Sequence, residues 1–491
     1  MAYLKDLLKQ VTYICTRGTM DCKVTHICHD SRQVVRGSMF ICLAGSREDG
    51  HDYLAQAIRK GAAVCVVSKH VWVEGDVTVI RVRNTSEAMA WIARNYYGAP
   101  AEAMQMIGIT GTKGKTTTAC MLYQMLKEAG VKCGLIGTLG IRRSDGLKKP
   151  GSNTTPDALV LQKELREMAD AGCSCCVMEV SSQGLKHYRV EGITFAIGIY
   201  TNLSMDHIGP GEHRSFREYA CCKKRLFERS RMICINADDK YHGFMTANLE
   251  APVYTYGIEQ PCDVKAEHIV YERSSRGLNV TYQTTGWIKD EIVLKMPGTA
   301  NVYNSLAAME AAYLLGISPE TIRKTLRNVS VKGRIEEVRI SDKFDVVIDY
   351  AHNAASLESL IKTLRQYQPK RLVLLFGCGG NRSKDRRYSM GEIGGKMADL
   401  SIITADNSRY EKVEDIIADI RGSIEKTGGK FIEIPDRREA IRYSILHAQP
   451  GDMVAVIGKG HEDYQEINGV RHHFLDREVI EETVKELGEK A

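Results

Sequence analysis

Residues 108–118 read Gly-Ile-Thr-Gly-Thr-Lys-Gly-Lys-Thr-Thr-Thr, and this loop constrains the fold more than any other stretch. It follows an apolar run suited to a buried strand (Met104, Met106, Ile107, Ile109). It precedes helical spacing over 116–127, with Cys120, Met121, Leu122, Met125 and Leu126 on the apolar positions. A strand, a glycine turn and a helix start make a phosphate cradle. Gly111 and Gly114 let backbone N–H groups approach phosphate oxygens, and the helix N-terminus adds partial positive charge. Lys115 can reach the β- and γ-phosphates, and the Thr116 hydroxyl can ligate Mg²⁺. Ile109 stands where the strict motif has its first glycine, so the loop is a variant.

The 491 residues suggest about three domains at roughly 150 residues each. Apolar content of 43% and charged content of 26% are those of an ordinary globular protein. No apolar run approaches the roughly 20 residues of a membrane span. The first eleven residues read as an amphipathic helix and not as a signal peptide, because an apolar h-region is missing and Asp6 intervenes. A cytoplasmic protein is expected, with its 15 cysteines reduced and mostly buried. Cys173, Cys175, Cys176, Cys221 and Cys222 lack zinc-site spacing. The net charge of +6 fits an anionic small substrate. No Lys/Arg stripe interleaved with aromatics points to nucleic acid.

Three α/β regions are expected. In residues 1–103 short apolar runs at 39–43, 62–67 and 77–82 alternate with helical spacing at 53–60, and Tyr97-Gly98-Ala99-Pro100 reads as a linker. Residues 104–331 carry the phosphate loop and strands at 131–136, 175–180, 195–200 and 232–236, with helices over 300–328; this predicts a largely parallel, doubly wound sheet. Residues 332–491 carry strands at 346–350, 371–377, 400–404, 431–434 and 452–457, again a Rossmann-like alternation.

Polar clusters follow these strands, where open α/β sheets place their ligands. Glu179 in Glu179-Val180-Ser181-Ser182-Gln183-Gly184 is a natural Mg²⁺ ligand, since hard cations prefer carboxylate oxygens. Asn202, Asp206 and His207 suggest metal or phosphate contact. Asp349-Tyr350-Ala351-His352 and Gly377-Cys378-Gly379-Gly380-Asn381-Arg382, backed by Lys384, Arg386 and Arg387, come next. The last two are Asp406-Asn407-Ser408-Arg409 and Gly458-Lys459-Gly460-His461-Glu462. The residues by themselves reach an ATP-dependent Mg²⁺ enzyme, and leave kinase, ATPase and ligase open.

The ordered set of motifs resembles the Mur ligases, ATP-dependent ligases of peptidoglycan precursor synthesis, along almost the whole chain. Asp30-Ser31-Arg32 with Gly37, Phe40 and Asp49-Gly50-His51 is similar to their N-terminal UDP-binding domain. Asn153-Thr154-Thr155-Pro156, Glu179, Asn202 and Asp206-His207 are similar to the central ATPase-like domain. Gly333-Arg334 and the later clusters are similar to the C-terminal domain. The resemblance implies that UDP-MurNAc-L-Ala-D-Glu, ATP and a diamino acid react through an acyl phosphate with Mg²⁺. Lys115, Lys223 and His207 would be catalytic. The nucleotide would be held by Gly111, Thr112, Lys113, Gly114, Lys115, Thr116 and Thr117 from the central domain, and by Asn304, Arg334, Asp349 and His352 with the C-terminal domain, which implies domain closure. The metal ligands would be Thr116, Glu179, His207 and Lys223. Lys223 matches the lysine that the family carbamylates to N6-carboxylysine, with Lys224 as the alternative register.

The same resemblance assigns Ser31, Asn153, Thr154, Thr155, Ser181, Gln183 and Arg189 to the UDP-MurNAc-dipeptide. It assigns Arg387, Asp406, Asn407, Arg409, Gly458 and Glu462 to the amino acid. Members that use meso-diaminopimelate carry Asp-Asn-Pro-Arg where this chain has Asp406-Asn407-Ser408-Arg409. Arg409 can still pair with a distal carboxylate, so meso-diaminopimelate is expected, with L-lysine or another diamino acid as the alternative. Thr299-Ala300-Asn301 lacks the family's aromatic residue and reads as a packing change. A monomer without nucleic acid or membrane insertion is expected. A folylpolyglutamate-synthase-like ligase, which lacks the N-terminal domain, and a non-catalytic nucleotide-binding paralogue are the rival readings.

Overall fold

A computed structural model describes every residue except 1, 46, 47, 152, 210, 275, 276 and 489–491. Two compact units emerge: residues 1–265 with 306–321, and residues 266–305 with 322–491.

The first unit holds two sheets. The N-terminal sheet comprises β1 (Tyr13–Arg17), β2 (His26–Cys28), β3 (Ser38–Ile41), β4 (Ala62–Val67) and β5 (Thr78–Val82), in the order β1-β5-β4-β3-β2. Only β1 runs antiparallel to its neighbour. Helix α1 (Thr85–Tyr96), capped by the Asn84 side chain on the Ser86 and Glu87 amides, packs Ala88, Met89, Ile92 and Ala93 against Met39, Val64 and Ile80.

The second sheet of this unit is built on β6 (Gln105–Thr110), followed by α2 (Lys115–Glu128), β7 (Cys133–Gly137), α3 (Ala158–Asp170), β8 (Cys175–Glu179), β9 (Phe195–Tyr200), α4 (Phe216–Lys224), β10 (Ser230–Asn236) and β11 (Val253–Gly257). Its parallel strands lie in the order β7-β8-β6-β9-β10-β11. Both faces are covered, so the strands are almost continuously apolar: Ile107, Ile109, Val177, Met178, Ile197 and Ile199 are fully buried. The register pairs Tyr200 with Thr110 and Glu179 with Ile109 at the C-terminal edge.

In the second unit, α5 (Thr299–Leu314) starts among its residues. A parallel sheet of β12 (Asp345–Asp349), β13 (Arg371–Phe376), β14 (Leu400–Ile403), β15 (Phe431–Glu433) and β16 (Asp452–Ile457) lies in the order β12-β16-β13-β14-β15. Helices α6 (Ala354–Arg365) and α7 (Lys384–Met397) alternate with the strands. The chain therefore has the expected α/β class with mainly parallel sheets.

Two local expectations change. The N-terminal helix shrinks to Leu4–Leu7, because Ala2–Tyr3 pairs antiparallel with Lys23–Val24 and Gln10 turns the chain at φ +63°. Leu4, Leu7 and Leu8 are still buried, so the apolar spacing was read correctly and the length was not. Strands at Val264–Ser274, Gly277–Gly286 and Asp290–Leu294 were not anticipated. Their inward residues Leu278, Val280 and Tyr282 alternate with polar ones, a weaker signal than a continuous apolar run.

Candidate active site

The phosphate loop leaves β6 at Thr110 and enters α2 at Lys115. Gly111 and Gly114 take φ +152° and +86°. A Cβ on Gly111 would lie 1.9 Å from Thr201 Oγ1, so only glycine fits there. The loop is pinned by its neighbour after β9. The Thr112 amide donates to Asn202 O (2.9 Å), the Lys113 amide donates to Asn202 Oδ1 (3.0 Å), and Thr201 Oγ1 donates to Lys113 O (2.6 Å). Lys115 Nζ bends back to Gly111 O (2.9 Å) and Thr112 O (3.0 Å), across the concavity a phosphate would enter.

Thr116, first-turn residue of α2, donates to Glu179 Oε2 (2.9 Å). The Thr138 amide donates to Glu179 Oε1 (2.8 Å), and Thr138 Oγ1 lies 3.0 Å from Thr154 Oγ1. Thr155 is fully buried and donates to Glu179 O (2.9 Å) and Ser181 Oγ (3.1 Å). Arg189 Nη1 donates to Thr155 O (2.8 Å). Gln183 Nε2 is buried with no hydrogen-bond partner among the described residues. Thr116, Glu179, Thr154, Thr155, Ser181, Gln183 and Arg189 therefore sit in one neighbourhood, while Asn153 is exposed at its rim. Ser31, in the helical turn between β2 and β3, is buried against Gln56 Oε1 (2.8 Å). Its loop reaches the same neighbourhood through His29 Nε2, 4.0 Å from Asp157 Oδ1, the cap of α3.

The hydroxyl of Thr116 and the carboxylate of Glu179 form a hard-oxygen donor set that suits Mg²⁺. The second set expected from sequence pairs His207 with Lys223. His207 is half exposed at φ +54°, 3.1 Å from Glu212 Oε1, and makes no hydrogen bond to Thr116 or Glu179. Among the described residues no group of three or more His, Cys, Asp or Glu side chains is arranged to hold a metal ion. Lys223 on α4 is buried, with Nζ 2.6 Å from Gly111 O and 4.5 Å from the Tyr219 ring centre. Burial first, and the like charge of Lys115 second, push its ammonium well below the ordinary lysine range. Lys224, the other register, instead bonds Ala247 O (2.6 Å) on the exposed side.

In the second unit, Asp349 ends β12 and accepts the Ile335 and Ala351 amides (both 2.8 Å). Tyr350 carries the Arg334 guanidinium over its ring at 5.0 Å, and lies 4.9 Å from His352 and 4.8 Å from His461 between ring centres. Arg334, Asp349 and His352 thus converge on Tyr350. Asn304 on α5 is buried and donates to Asn301 Oδ1 (3.0 Å).

The loops expected to take the amino acid meet at the C-terminal edge of the same sheet. Asn407 Nδ2 donates to Glu462 Oε2 (2.9 Å), and Lys459, fully buried, donates to Asn407 Oδ1 (3.2 Å) and Glu462 Oε2 (3.4 Å). Asp406 Oδ1 lies 3.8 Å from Lys459 Nζ, and a Cβ on Gly458 (φ +107°) would press on Asp406 at 3.3 Å. Arg409 Nη1 donates to Gly380 O (2.7 Å), with Nε 3.4 Å from Glu466 Oε2. Ser408 is buried, and a Cβ on Gly380 would strike its carbonyl at 1.9 Å. Arg387 stands apart. Its two terminal nitrogens bind Glu411 (2.7 Å) and Asp419 (2.9 Å), so it reaches the Arg409 segment only through Glu411. Thr138, His213, Tyr219 and Lys459 were given no role from sequence. Only Lys459, inside the Gly458–Glu462 cluster, carried a signal.

His213 and His461 are each pushed down to about 4, by burial first and then by neighbouring cations. Both are neutral in the folded chain, whereas an unfolded histidine protonates near 6.5. Between those values the unfolded chain binds more protons, so this contribution to stability is complete above about 6.5 and lost as pH falls toward 4. Tm is expected to drop over that window, and less steeply in His461→Asn. Equal slopes in the two proteins would contradict the assignment.

The chain is similar to known proteins along nearly its whole length. Residues 23–97 match the Mur ligase family catalytic domain, 109–312 the Mur ligase middle domain, and 333–460 the Mur ligase glutamate ligase domain. The UDP-N-acetylmuramoyl-L-alanyl-D-glutamate–2,6-diaminopimelate ligase of Caldanaerobacter subterraneus is 40% identical over 484 residues, covering 98% of this chain and 99% of its own. The same-named protein of Clostridium perfringens is 38% identical over 488 residues, covering 97% and 98%. A solved structure of a ligase with that name superposes with TM-score 0.69 at 30% identity, covering 95% of each chain.

Proposed function

The chain belongs to the Mur ligase family, and from that premise we infer that it joins meso-diaminopimelate to the γ-carboxylate of D-Glu in UDP-MurNAc-L-Ala-D-Glu, with ATP converted to ADP and phosphate. The arrangement that supports this most is the shared use of Glu179. One carboxylate receives Thr116 of the phosphate loop and Thr138, whose hydroxyl meets Thr154 of the dipeptide set. Nucleotide phosphate and substrate carboxylate would therefore meet at one point.

The γ-carboxylate oxygen attacks the γ-phosphorus, the bond to the β-phosphate oxygen breaks, and an acyl phosphate forms. The amine of the incoming amino acid then attacks the activated carbonyl, loses a proton, and inorganic phosphate leaves as the amide forms. Lys115 turns from the loop carbonyls to the phosphate oxygens, where charge builds up. The backbone of Gly111–Thr117 orients the phosphates, and Thr155, Ser181, Gln183 and Arg189 orient the dipeptide, while Asn304, Arg334, Asp349 and His352 take the nucleoside. Thr116 and Glu179 would hold one Mg²⁺, which would neutralise phosphate charge when bound. Burial, with the like charge of Lys115, disfavours the charged form of Lys223 and so favours its nucleophilic amine. Addition to CO₂ with loss of a proton would make it a carbamate that, with His207, offers oxygen and nitrogen ligands to a second ion.

Arg409 would pair with the distal carboxylate of meso-diaminopimelate, and Glu462 with its distal ammonium, on a platform of Asn407, Asp406 and Gly458 with Arg387 behind it. L-Lysine has no carboxylate for Arg409. A folylpolyglutamate-synthase-like reading does not account for the N-terminal match at 23–97, and intact Lys115, Thr116, Glu179 and Lys223 argue against a non-catalytic paralogue. No helix among the described residues is long and apolar enough to cross a membrane. We place the enzyme in the cytoplasm, where its nucleotide substrates are, and as a monomer. The test is the mass of the product. UDP-MurNAc-dipeptide should gain one meso-diaminopimelate less one water, only with ATP and Mg²⁺, and an unchanged dipeptide would sink the reading.

A further inference from the structure

Between the dipeptide set and the phosphate loop runs a chain of buried side chains that the mechanism above does not use. Ser182 follows Ser181 at the start of the short helix Ser182–Lys186, and its Oγ lies 2.9 Å from His213 Nε2. His213 is fully buried and its Nδ1 has no partner among the described residues, so Ser182 is the single hydrogen-bond anchor of its ring there. Its ring meets the Tyr219 ring edge-on at 5.2 Å between centres. Tyr219, also fully buried, ends the chain: its hydroxyl is 2.9 Å from Thr112 Oγ1 in the phosphate loop, and its ring lies under Lys223 Nζ. The Thr112 hydroxyl is in turn tied to Ser204, whose amide donates to it at 3.0 Å.

Each link is short, each member is buried, and a packed interior transmits displacement because it cannot deform freely. A shift of the Ser181–Gln183 turn when it closes on a peptide carboxylate must move the Ser182 hydroxyl. That movement acts on His213, then on the Tyr219 ring, and from there on Thr112 and Lys223 together. The phosphate loop is glycine-rich and is held on this side by the Thr112 hydroxyl. Its affinity for phosphate oxygens depends on where that hydroxyl is kept.

We propose that His213 and Tyr219 are positioning residues that link the two substrate sites, so that the UDP-linked peptide and the nucleotide each tighten the binding of the other. The link rests on the ligase reading above for the identity of its two ligands. Linkage of this kind is reciprocal. It requires no group to titrate and no contact of either residue with the reacting atoms.

The experiment is calorimetric titration of the whole chain with ADP and Mg²⁺, with and without saturating UDP-MurNAc-L-Ala-D-Glu, in the wild type, Tyr219→Phe and His213→Gln. Tyr219→Phe keeps the ring and removes only the hydroxyl. In the wild type the dipeptide is expected to tighten ADP binding about tenfold, within the usual range for coupled sites. In both variants that gain should fall to within about twofold while each ligand still binds by itself, because one link of the chain is gone. A merely structural role would lower Tm without changing the ratio of the two ADP affinities. A wild type with no mutual tightening, or variants that keep the full gain, would overturn the proposal. A wild type that binds neither ligand would instead overturn the ligase reading and the link with it.

Discussion

Lys223→Ala is expected to lower turnover by about a thousandfold, the scale for loss of a group that stabilises transition-state charge in a closed site. The physical case starts from burial. An ammonium with 1% exposure beside Lys115 is disfavoured, and the amine left behind is the form that adds CO₂. A carbamate there carries the negative charge that Thr116 and Glu179 do not supply for a second ion. Small carboxylates such as acetate should fit the space vacated in Lys223→Ala and restore part of the rate, while leaving the wild type unaffected. Tm should fall by no more than a buried large-to-small change costs, since the lost side chain bonded Gly111 O and packed over the Tyr219 ring. Near-normal turnover in Lys223→Ala would show that the lysine is structural. A loss without acetate rescue would remove the carbamate from the account and keep the residue.

Arg409→Ala should cost about 2 kcal/mol in the binding of meso-diaminopimelate, the usual worth of a hydrogen bond to a charged group, or roughly a thirtyfold rise in its KM. The guanidinium is held ready by Gly380 O and the flank of Glu466, and Arg409 itself sits at φ +51° in a loop locked by Asn468 and Glu466 backbone bonds. KM for ATP should be unchanged, because the residues proposed to hold the nucleotide lie on other loops. A matching rise in the KM for ATP would mean that the loop, and not the pairing, had been lost. The serine at 408 is compatible with this geometry. Gly380 packs against its carbonyl, a contact that proline would also offer.

What could be read from the sequence depended on the range of the interaction. Strands buried on both faces declare themselves as apolar runs, so Phe195–Tyr200, Ala62–Val67 and Asp452–Ile457 were found to the residue. The polar clusters after them could be placed for the same reason, since a doubly wound sheet puts its ligands at that edge. The Gly277–Gly286 strand was missed because only alternate residues are buried. The helix expected at the N-terminus failed because a pairing with Lys23–Val24, twenty residues away, competes with its first turn.

In the site, motif spacing identified Thr116 and Glu179, which do touch. It could not show that Arg387 is occupied by Glu411 and Asp419, because α7 and the loop that brings Glu411 to it meet only in the fold. Nor could it join Tyr219 to Thr112, which are 107 residues apart in the chain. Thr138 offered no signal at all. A lone threonine after a strand gains its role only from the carboxylate on the neighbouring strand.

The most direct test of the ligase assignment is phosphate release by the purified chain with ATP, Mg²⁺ and UDP-MurNAc-L-Ala-D-Glu, in the presence of meso-diaminopimelate, L-lysine or no amino acid. Release that depends on meso-diaminopimelate and is weakened in Arg409→Ala is the predicted result. Release that depends on L-lysine instead, or no release with any of the three, would contradict it.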